Sequence, residues 1–170
     1  MNIRPARPTD ASSLAALSIE VWLGTYIRRG VNAFFADYAL AEFTAPKMTT
    51  ILQDKNEHVF VSDNVEGIDG FVRITHASDC QIAGCSDTEI TTLYVQPRHQ
   101  GKQIGKQLLG RAIDHCRSHG IRQPWLAVNS ENVKAIDFYL ANGFENVGQT
   151  HFKIQDQSYL NEILAIELKV

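Results

Sequence analysis

The chain has 170 residues, of which 44% are hydrophobic and 21% charged, and its formal net charge is -3. This composition predicts one globular domain over residues 1–170, and the weak acidity argues against nucleic acid or an anionic membrane as a partner. There is no apolar run of membrane-spanning length, no signal-peptide pattern and no CxxC among the three cysteines, so we expect a cytoplasmic protein.

The N-terminal half is predicted to contain a strand, helical segments and a hairpin. Residues 3–6 favour a strand, and Pro8 followed by Thr9 or Asp10 as N-cap predicts a helix. A second helical region covers about residues 32–43; Pro46 interrupts it, and a further turn or two runs to about residue 52. Residues 59–62 and 68–75 are rich in β-branched and aromatic side chains and predict a hairpin.

In the C-terminal half, strands and helices alternate. The segment TEITTLYVQP predicts a strand that Pro97 ends, and apolar positions from Ile104 onward predict a helix that Gly120 ends. PWLAV predicts a buried strand, and NSENVKAIDFYLANGF a helix with Gly143 as its C′ residue. Two strands follow, near residues 144–152 and 159–168. The class is α/β (α+β) with a central sheet.

The stretch HQGKQIGKQLLGRAI, residues 99–113, has the chemistry of an anion site. A glycine-containing turn leads into a helix whose first N–H groups lack intrahelical partners, and basic residues stand beside it. A P-loop needs four residues between its glycines, but only three separate Gly101 from Gly105, and Gln107 follows Lys106. No GxGxxG dinucleotide fingerprint is present either.

Two motifs together resemble the GNAT N-acetyltransferases. LYVQPRHQGKQIGKQLLGRAI is similar to the acetyl-coenzyme A turn of that family, and NSENVKAIDFYLANGFENVG to its later motif. They stand in family order and at family spacing within residues 88–148, and GIDGFVRI resembles the family's hairpin. The resemblance implies a central mixed, mostly antiparallel sheet of about seven strands flanked by about four helices.

The resemblance also implies acetyl-CoA as co-substrate and a set of cofactor-binding residues, with no metal expected. Backbone N–H groups of the strand before the turn would bind the pantetheine, the turn itself the pyrophosphate, and one Asn the cofactor arm; these residues are Leu93, Tyr94, Val95, Gln100, Gly101, Lys102, Gln103, Ile104, Gly105, Lys106 and Asn132. Where this chain has Gln103, the family usually has Gly. A negative φ would still let Gln103 offer its N–H, so we expect weaker or altered binding rather than its loss.

Direct attack of the amine on the thioester, without an acyl-enzyme, is the chemistry that the resemblance implies. Tyr139 matches the general acid that protonates the leaving sulfur, and Glu89 is our candidate base, with ordered water as the alternative. The residues near the first helix line the acceptor site in this family, which makes Trp22 and Tyr26 candidates for substrate binding; core packing is the equal alternative for Trp22. His115 and His119 are four residues apart on a helix, and we interpret them as part of a solvated face.

The acceptor is expected to be a primary amine of a small molecule. The C-terminal half resembles bacterial spermidine/spermine N-acetyltransferases, which favours a polyamine, although Asn161 stands where that subgroup tends to have an acid. Two alternatives stay open: an acetyltransferase of peptide, protein N-terminal or lysine amines, and a catalytically silent acyl-CoA-binding sensor. Whether the chain forms a homodimer is also left open.

Overall fold

A computed structural model describes residues 2–169, which form seven strands and five α-helices. In chain order these elements are β1 (Asn2–Pro5), α1 (Ala11–Tyr26), α2 (Ala33–Glu42), α3 (Ala45–Gln53), β2 (Glu57–Asp63), β3 (Ile68–Thr75), β4 (Glu89–Val95), α4 (Ile104–Ser118), β5 (Trp125–Asn129), α5 (Val133–Ala141), β6 (Glu145–Ile154) and β7 (Gln157–Ala165). Short 3-10 turns at Pro8–Asp10 and Pro97–His99 come before α1 and α4.

The strands join one sheet in the order β1-β2-β3-β4-β5-β7-β6. The pairs β1/β2, β5/β7 and β6/β7 are antiparallel. β4 and β5 are parallel, with Glu89 beside Trp125, and the intervening helix α4 provides the crossover that a parallel pair needs. The predicted mixed, mostly antiparallel sheet is therefore confirmed.

The two helical stretches before the hairpin, α2 and α3, lie close to the predicted positions, but the break between them comes before Pro46 and not at it. Thr44 caps α3, its side-chain oxygen accepting a hydrogen bond from the Lys47 N–H at 3.3 Å, and Pro46 lies in the first helical turn. Proline is well tolerated there, since that N–H has no intrahelical partner. Pro46 thus helps to begin a helix rather than to interrupt one. None of the helices within residues 2–169 has the length and hydrophobicity of a membrane span.

Side-chain hydrogen bonds and a glycine define three turns and helix ends, of which the C′ position of Gly143 was predicted. Asn32 caps α2 by accepting from the Phe35 N–H at 3.1 Å. In the β2/β3 hairpin, Asn64 Oδ1 accepts from the Glu66 N–H at 2.8 Å, so its side chain closes the turn. Gly143 follows α5 with a φ of +88°, the left-handed conformation that a helix end requires.

The chain divides into two compact units, each with its own core. The first unit comprises Met1–Ile74 and Thr92–Ile113, and its buried cluster includes Leu14, Met48, Val61 and Phe71. The second comprises Thr75–Thr91 and Asp114–Val170, and its core contains Trp125, Ile163 and Ala165, with the half-buried Cys80, Ile82 and Cys85 packed against them. The divisions of the chain fall within β3, β4 and α4.

Candidate active site

The end of β4, where Leu93, Tyr94 and Val95 lie half-buried, is held close to β3 and α4 in the first unit. Gly70 on β3 makes this approach possible. A Cβ on Gly70 would lie 2.9 Å from the Tyr94 carbonyl oxygen and 3.1 Å from Leu108 Cδ1. Because backbone cannot yield as a flexible side chain can, a residue without a Cβ is required at this position.

Residues 100–106, which we call the cofactor turn, connect the 3-10 turn after β4 to α4. Gly101 has a φ of +78°, which lets the chain reverse sharply. The Gln107 N–H donates to the Gln103 carbonyl oxygen at 3.1 Å, as an early bond of the helix. The N–H groups of Ile104, Gly105 and Lys106 precede that bond in the first helical turn, where N–H groups are left for a ligand.

The expectation of a negative φ at Gln103 is wrong. Its φ is +66°, in the left-handed region, and not negative as expected. The turn imposes this conformation, and a glycine, the residue usual in the family here, would adopt it without steric cost. The backbone of Gln103 therefore has the conformation that a glycine would have, so its N–H has the same direction as in a turn with glycine. The Gln103 side chain is exposed.

Three exposed basic residues lie in or beside the cofactor turn. Arg98, Lys102 and Lys106 are exposed, and their side chains extend into solvent near the N-terminus of α4. Gln100, the first residue of the turn, donates from its side-chain Nε2 to the Val95 carbonyl oxygen at 3.3 Å and so connects the turn to the end of β4. The turn thus combines helix N–H groups with local basic charge on a chain that is acidic overall.

Tyr139 lies in the second unit, on α5, and only 8% of its surface is exposed. Its ring packs against Phe138 and Phe144, with centroid distances of 5.2 and 5.6 Å. Burial raises the pKa of the phenol above its ordinary value, so the group stays protonated at neutral pH. Its hydroxyl makes no hydrogen bond within the described part of the chain, which leaves its proton available to a ligand.

Glu89 and Asn132 also belong to the second unit, and each has a structural contact. Glu89 begins β4, is half-buried, and accepts a hydrogen bond from the Ser78 hydroxyl at 2.7 Å. Asn132 is the N-cap of α5, where its Oδ1 accepts from the Ala135 N–H at 3.3 Å. Since Oδ1 makes the cap, the Asn132 amide nitrogen is the part of the side chain that can turn toward a cofactor.

Trp22 is the centre of an aromatic cluster in the first unit. It is 5% exposed, and its ring centroid lies 4.6 Å from that of Tyr26 and 4.8 Å from that of Tyr38, which it stacks against. Phe35 and Phe43 complete the cluster at 6.0 Å each. Burial, with a smaller contribution from the negative charge of Glu42, raises the pKa of Tyr38 to about 12. Phe35 and Tyr38, the members of the cluster on α2, were not among the predicted substrate-binding residues.

The histidines of α4 were misinterpreted from the sequence. His115 is buried rather than solvated, and its Nε2 lies 3.1 Å from Nε2 of His76. His76 in turn contacts the hydroxyl of the buried Thr88 through Nδ1 at 3.0 Å. His119 is exposed, as predicted, with Nδ1 at 2.8 Å from the His115 carbonyl oxygen. Helical spacing gave no sign of His76, which lies far from α4 in sequence.

The sequence-predicted residues are thus distributed over both units. The first unit contains Trp22, Tyr26, the end of β4 and the cofactor turn, and the second contains Glu89, Asn132 and Tyr139. Asp69 in the first unit was missed altogether. Its signal was a carboxylate near the start of the mostly apolar segment GIDGFVRI, where it needs a specific partner if the strand is buried.

Comparison with protein families gives a match over most of the chain. The model of the acetyltransferase (GNAT) family matches residues 27–144. The chain is 27% identical over 161 residues to a streptothricin acetyltransferase from Streptomyces lavendulae, with 85% of this chain and 82% of that protein covered. It is also 27% identical over 144 residues to the L-amino acid N-acyltransferase MnaT of Escherichia coli, with 85% and 79% covered.

Solved structures show the same fold in proteins with low sequence identity. The paia N-acetyltransferase from Thermoplasma acidophilum, in complex with coenzyme A, aligns with a TM-score of 0.78 and 22% identity over 98% of each chain. The yncA protein from Salmonella typhimurium, with its cofactor acetyl-CoA, aligns with a TM-score of 0.69 and 21% identity, over 100% of this chain and 95% of that one.

Proposed function

Because the chain belongs to the acetyltransferase (GNAT) family and is an acetyl-CoA-dependent N-acetyltransferase, we propose that its acceptor is a small molecule with a primary amine. We further propose that the cofactor turn binds the pyrophosphate and that Tyr139 is the general acid. The observation that carries the proposal is the cofactor turn, where left-handed backbone at Gly101 and Gln103 leads into a helix N-terminus surrounded by basic side chains.

The proposed reaction needs no acyl-enzyme. The neutral amine attacks the thioester carbonyl carbon, a C–N bond forms, and negative charge develops on the carbonyl oxygen. Collapse of this intermediate breaks the C–S bond and expels the thiolate of coenzyme A. The backbone N–H groups of Leu93, Tyr94 and Val95 would bind the pantetheine arm and orient the carbonyl. Positioning of the two reactants would supply much of the acceleration.

Tyr139 suits the general-acid role because burial keeps its phenol protonated and its hydroxyl has no partner among the described residues. The proton would pass from the Tyr139 hydroxyl to the departing sulfur. Loss of a general acid costs about 10²- to 10⁴-fold in rate. We therefore expect Tyr139→Phe to lower kcat by that factor, while the thermal shift produced by acetyl-CoA is retained.

Tyr159→Phe is the matched control for this prediction. The Tyr159 hydroxyl donates to Gln157 Oε1 at 2.6 Å on the exposed β6/β7 hairpin, so its removal should leave kcat within about twofold. Thiol release at saturating acetyl-CoA measures both variants. A Tyr139→Phe enzyme with the turnover of wild type would refute the acid role.

Glu89 is the proposed base, and ordered water is the competing one. Its carboxylate can accept the amine proton directly or through a water, and the Ser78 hydroxyl fixes its orientation. Ala127 on the neighbouring strand β5 has no ionisable group and cannot take over this task. Glu89→Gln keeps the shape and the Ser78 contact but removes the base, so a large loss of kcat would support Glu89 and an unchanged kcat would favour water.

The acceptor class is inferred from the aromatic cluster and the charge near it. The helices that carry the cluster also carry three exposed carboxylates, Glu20, Asp37 and Glu42. Carboxylates and aromatic faces both attract a protonated amine. The two relatives are named for streptothricin and for L-amino acids, which are small molecules with amino groups. A polyamine is the narrower proposal.

Two other functions compete with this proposal, and one experiment separates all three. Thiol release from acetyl-CoA is measured with spermidine, spermine, amino acids, aminoglycosides, streptothricin and short peptides, beside a thermal shift with acetyl-CoA alone. Turnover with one class of small amine supports the proposal. Turnover with peptides alone identifies a peptide or protein acetyltransferase, and a thermal shift without turnover on any amine favours the acyl-CoA-binding sensor.

A further inference from the structure

We infer that the buried Asp69 and the half-buried His99 form a brace that positions the cofactor turn for the pyrophosphate of acetyl-CoA. Both are positioning residues, since neither needs to touch the reacting atoms. This inference rests on the proposed function, because it takes the cofactor turn to be the pyrophosphate site. The brace is defined as Asp69, His99, the contact between their side chains and the two backbone hydrogen bonds that join them to Gln96.

The Asp69 side chain is 7% exposed, which is unusual for a carboxylate on a strand. Its Oδ2 is shared by two side chains, lying 2.9 Å from His99 Nδ1 and accepting from Asn64 Nδ2 at 2.8 Å. Oδ1 is buried and makes no hydrogen bond of normal geometry among the described residues, although the hydroxyl of the buried Ser62 interacts with the carboxylate. A buried carboxylate is costly unless it is paired, so packing alone does not explain this residue.

Asp69 holds the segment before the cofactor turn at two points. Its backbone carbonyl oxygen accepts from the Gln96 N–H at 2.9 Å, and its carboxylate contacts His99 at the end of the 3-10 turn. Inside that turn, the His99 N–H donates to the Gln96 carbonyl oxygen at 2.8 Å. Both ends of the 3-10 turn are therefore fixed to the same residue of β3, and the cofactor turn begins at the next residue, Gln100.

This anchoring is needed because the cofactor turn has few contacts of its own. Residues 100–103 are exposed, whereas Ile104 is buried at 3% and fixes the far end of the turn. With the brace at one end and Ile104 at the other, the backbone of residues 100–103 is held in place, and it leads directly into the free N–H groups at the start of α4. A prearranged site binds its ligand without the entropic cost of ordering a loop.

The test compares two acetyl donors that differ in the pyrophosphate and in the 3′-phosphoadenosine beyond it. S-acetylpantetheine carries the same thioester and pantetheine arm as acetyl-CoA but ends before the pyrophosphate. His99→Ala is measured with both donors at a fixed concentration of the best amine. His99→Ala removes the hydrogen bond to the Asp69 carboxylate, and this bond orders the site. The substitution should therefore raise the KM for acetyl-CoA about tenfold or more and leave kcat within about twofold. The kcat/KM for S-acetylpantetheine should equal that of wild type.

Two further variants complete the experiment. His99→Asn keeps an N–H donor close to the position of Nδ1 and should restore most of the acetyl-CoA affinity. His151→Ala, at an exposed position of β6, is the control and should change neither KM. Asp69→Asn should resemble His99→Ala, and if it does not fold, His99→Ala and His99→Asn still decide the question.

Three results would contradict either the brace or the pyrophosphate assignment. Equal losses with both donors in His99→Ala would mean a general structural role and would overturn the inference. A His99→Ala enzyme whose KM for acetyl-CoA equals that of wild type would also overturn the inference, but would leave the proposed function intact. If wild type itself used both donors equally well, the pyrophosphate assignment would fail, and the inference would fail with it.

Discussion

At position 103, a residue with a Cβ has a φ of +66°. Left-handed backbone costs an L-residue about 1–2 kcal/mol, because Cβ comes too close to the carbonyl oxygen. Glycine escapes this cost but loses about 0.5–1 kcal/mol of stability through the greater freedom of the unfolded chain. These two effects oppose each other at Gln103, whereas only the second acts at Gln107, an exposed helical residue of α4.

We therefore expect Gln103→Gly to keep the free energy of unfolding at or slightly above that of wild type, and Gln107→Gly to lower it by about 1 kcal/mol. Urea unfolding followed by circular dichroism measures both. Equal destabilisation by the two substitutions would show that residue 103 bears no backbone strain.

At the scale of elements, the packing of β3 on β4 and α4 depends on the missing side chain of Gly70. A Cβ there would meet the Tyr94 carbonyl oxygen at 2.9 Å, and either strand would have to shift. Gly110 in the middle of α4 is the opposite case, since a Cβ built on it meets nothing within 4 Å. Position 70 has no space for a methyl group, whereas position 110 has.

Gly70→Ala should lower the free energy of unfolding by about 1–3 kcal/mol, the usual cost of overpacking. Gly110→Ala should raise it by about 0.5–1 kcal/mol, because alanine favours helix. Thermal and urea unfolding give both values. Because Gly70 contacts the end of β4, we also expect Gly70→Ala to weaken acetyl-CoA binding; a stable Gly70→Ala protein with normal affinity would contradict this packing.

The elements were predicted where the periodicity of the side chains determines them. All strands lie close to the expected positions, because β-branched and aromatic runs between turn residues describe a strand locally. The role of Pro46 was predicted wrongly, since a proline can end one helix or begin another and only the cap at Thr44 distinguishes the two. The left-handed backbone at Gln103 could not be predicted, because a residue with a Cβ rarely adopts it. The contact between Asp69 and His99 and the burial of His115 involve residues distant in sequence, and local patterns do not identify such partners.

For the whole molecule, stability at low pH should depend on Asp10. Arg4 contacts both Asp10 oxygens, at 2.8 and 3.1 Å, and also donates to Asp63 at 2.7 Å. The hydrogen bond from Arg4 is the largest cause that lowers the pKa of Asp10 below its ordinary value of 3.8. A carboxyl with a depressed pKa in the folded state stabilises it above the unfolded pKa, and this contribution is lost as the pH falls below it.

Asp10→Asn should accordingly lower the free energy of unfolding at pH 7 by about 1–3 kcal/mol and should flatten its pH dependence below about pH 4. The control is Asp114→Asn, because Asp114 is 65% exposed and 3.4 Å from Arg117; its effect should stay within about 0.5 kcal/mol. Urea unfolding at several pH values measures the difference. Parallel pH curves for wild type and Asp10→Asn would exclude this role for Asp10.

The packing of the cysteines has a practical consequence for enzymology. Burial raises the pKa of the Cys85 thiol to about 11, with the neighbouring Cys80 adding to the rise, and burial also raises the pKa of Cys116 to about 11. The thiols of Cys85 and Cys116 therefore remain protonated and poorly nucleophilic near neutral pH, where a coloured disulfide reagent is used to detect the thiol of coenzyme A. The colour that such a reagent develops over time will report released coenzyme A, and any reaction of the half-buried Cys80 will be a fixed background, visible before the donor is added.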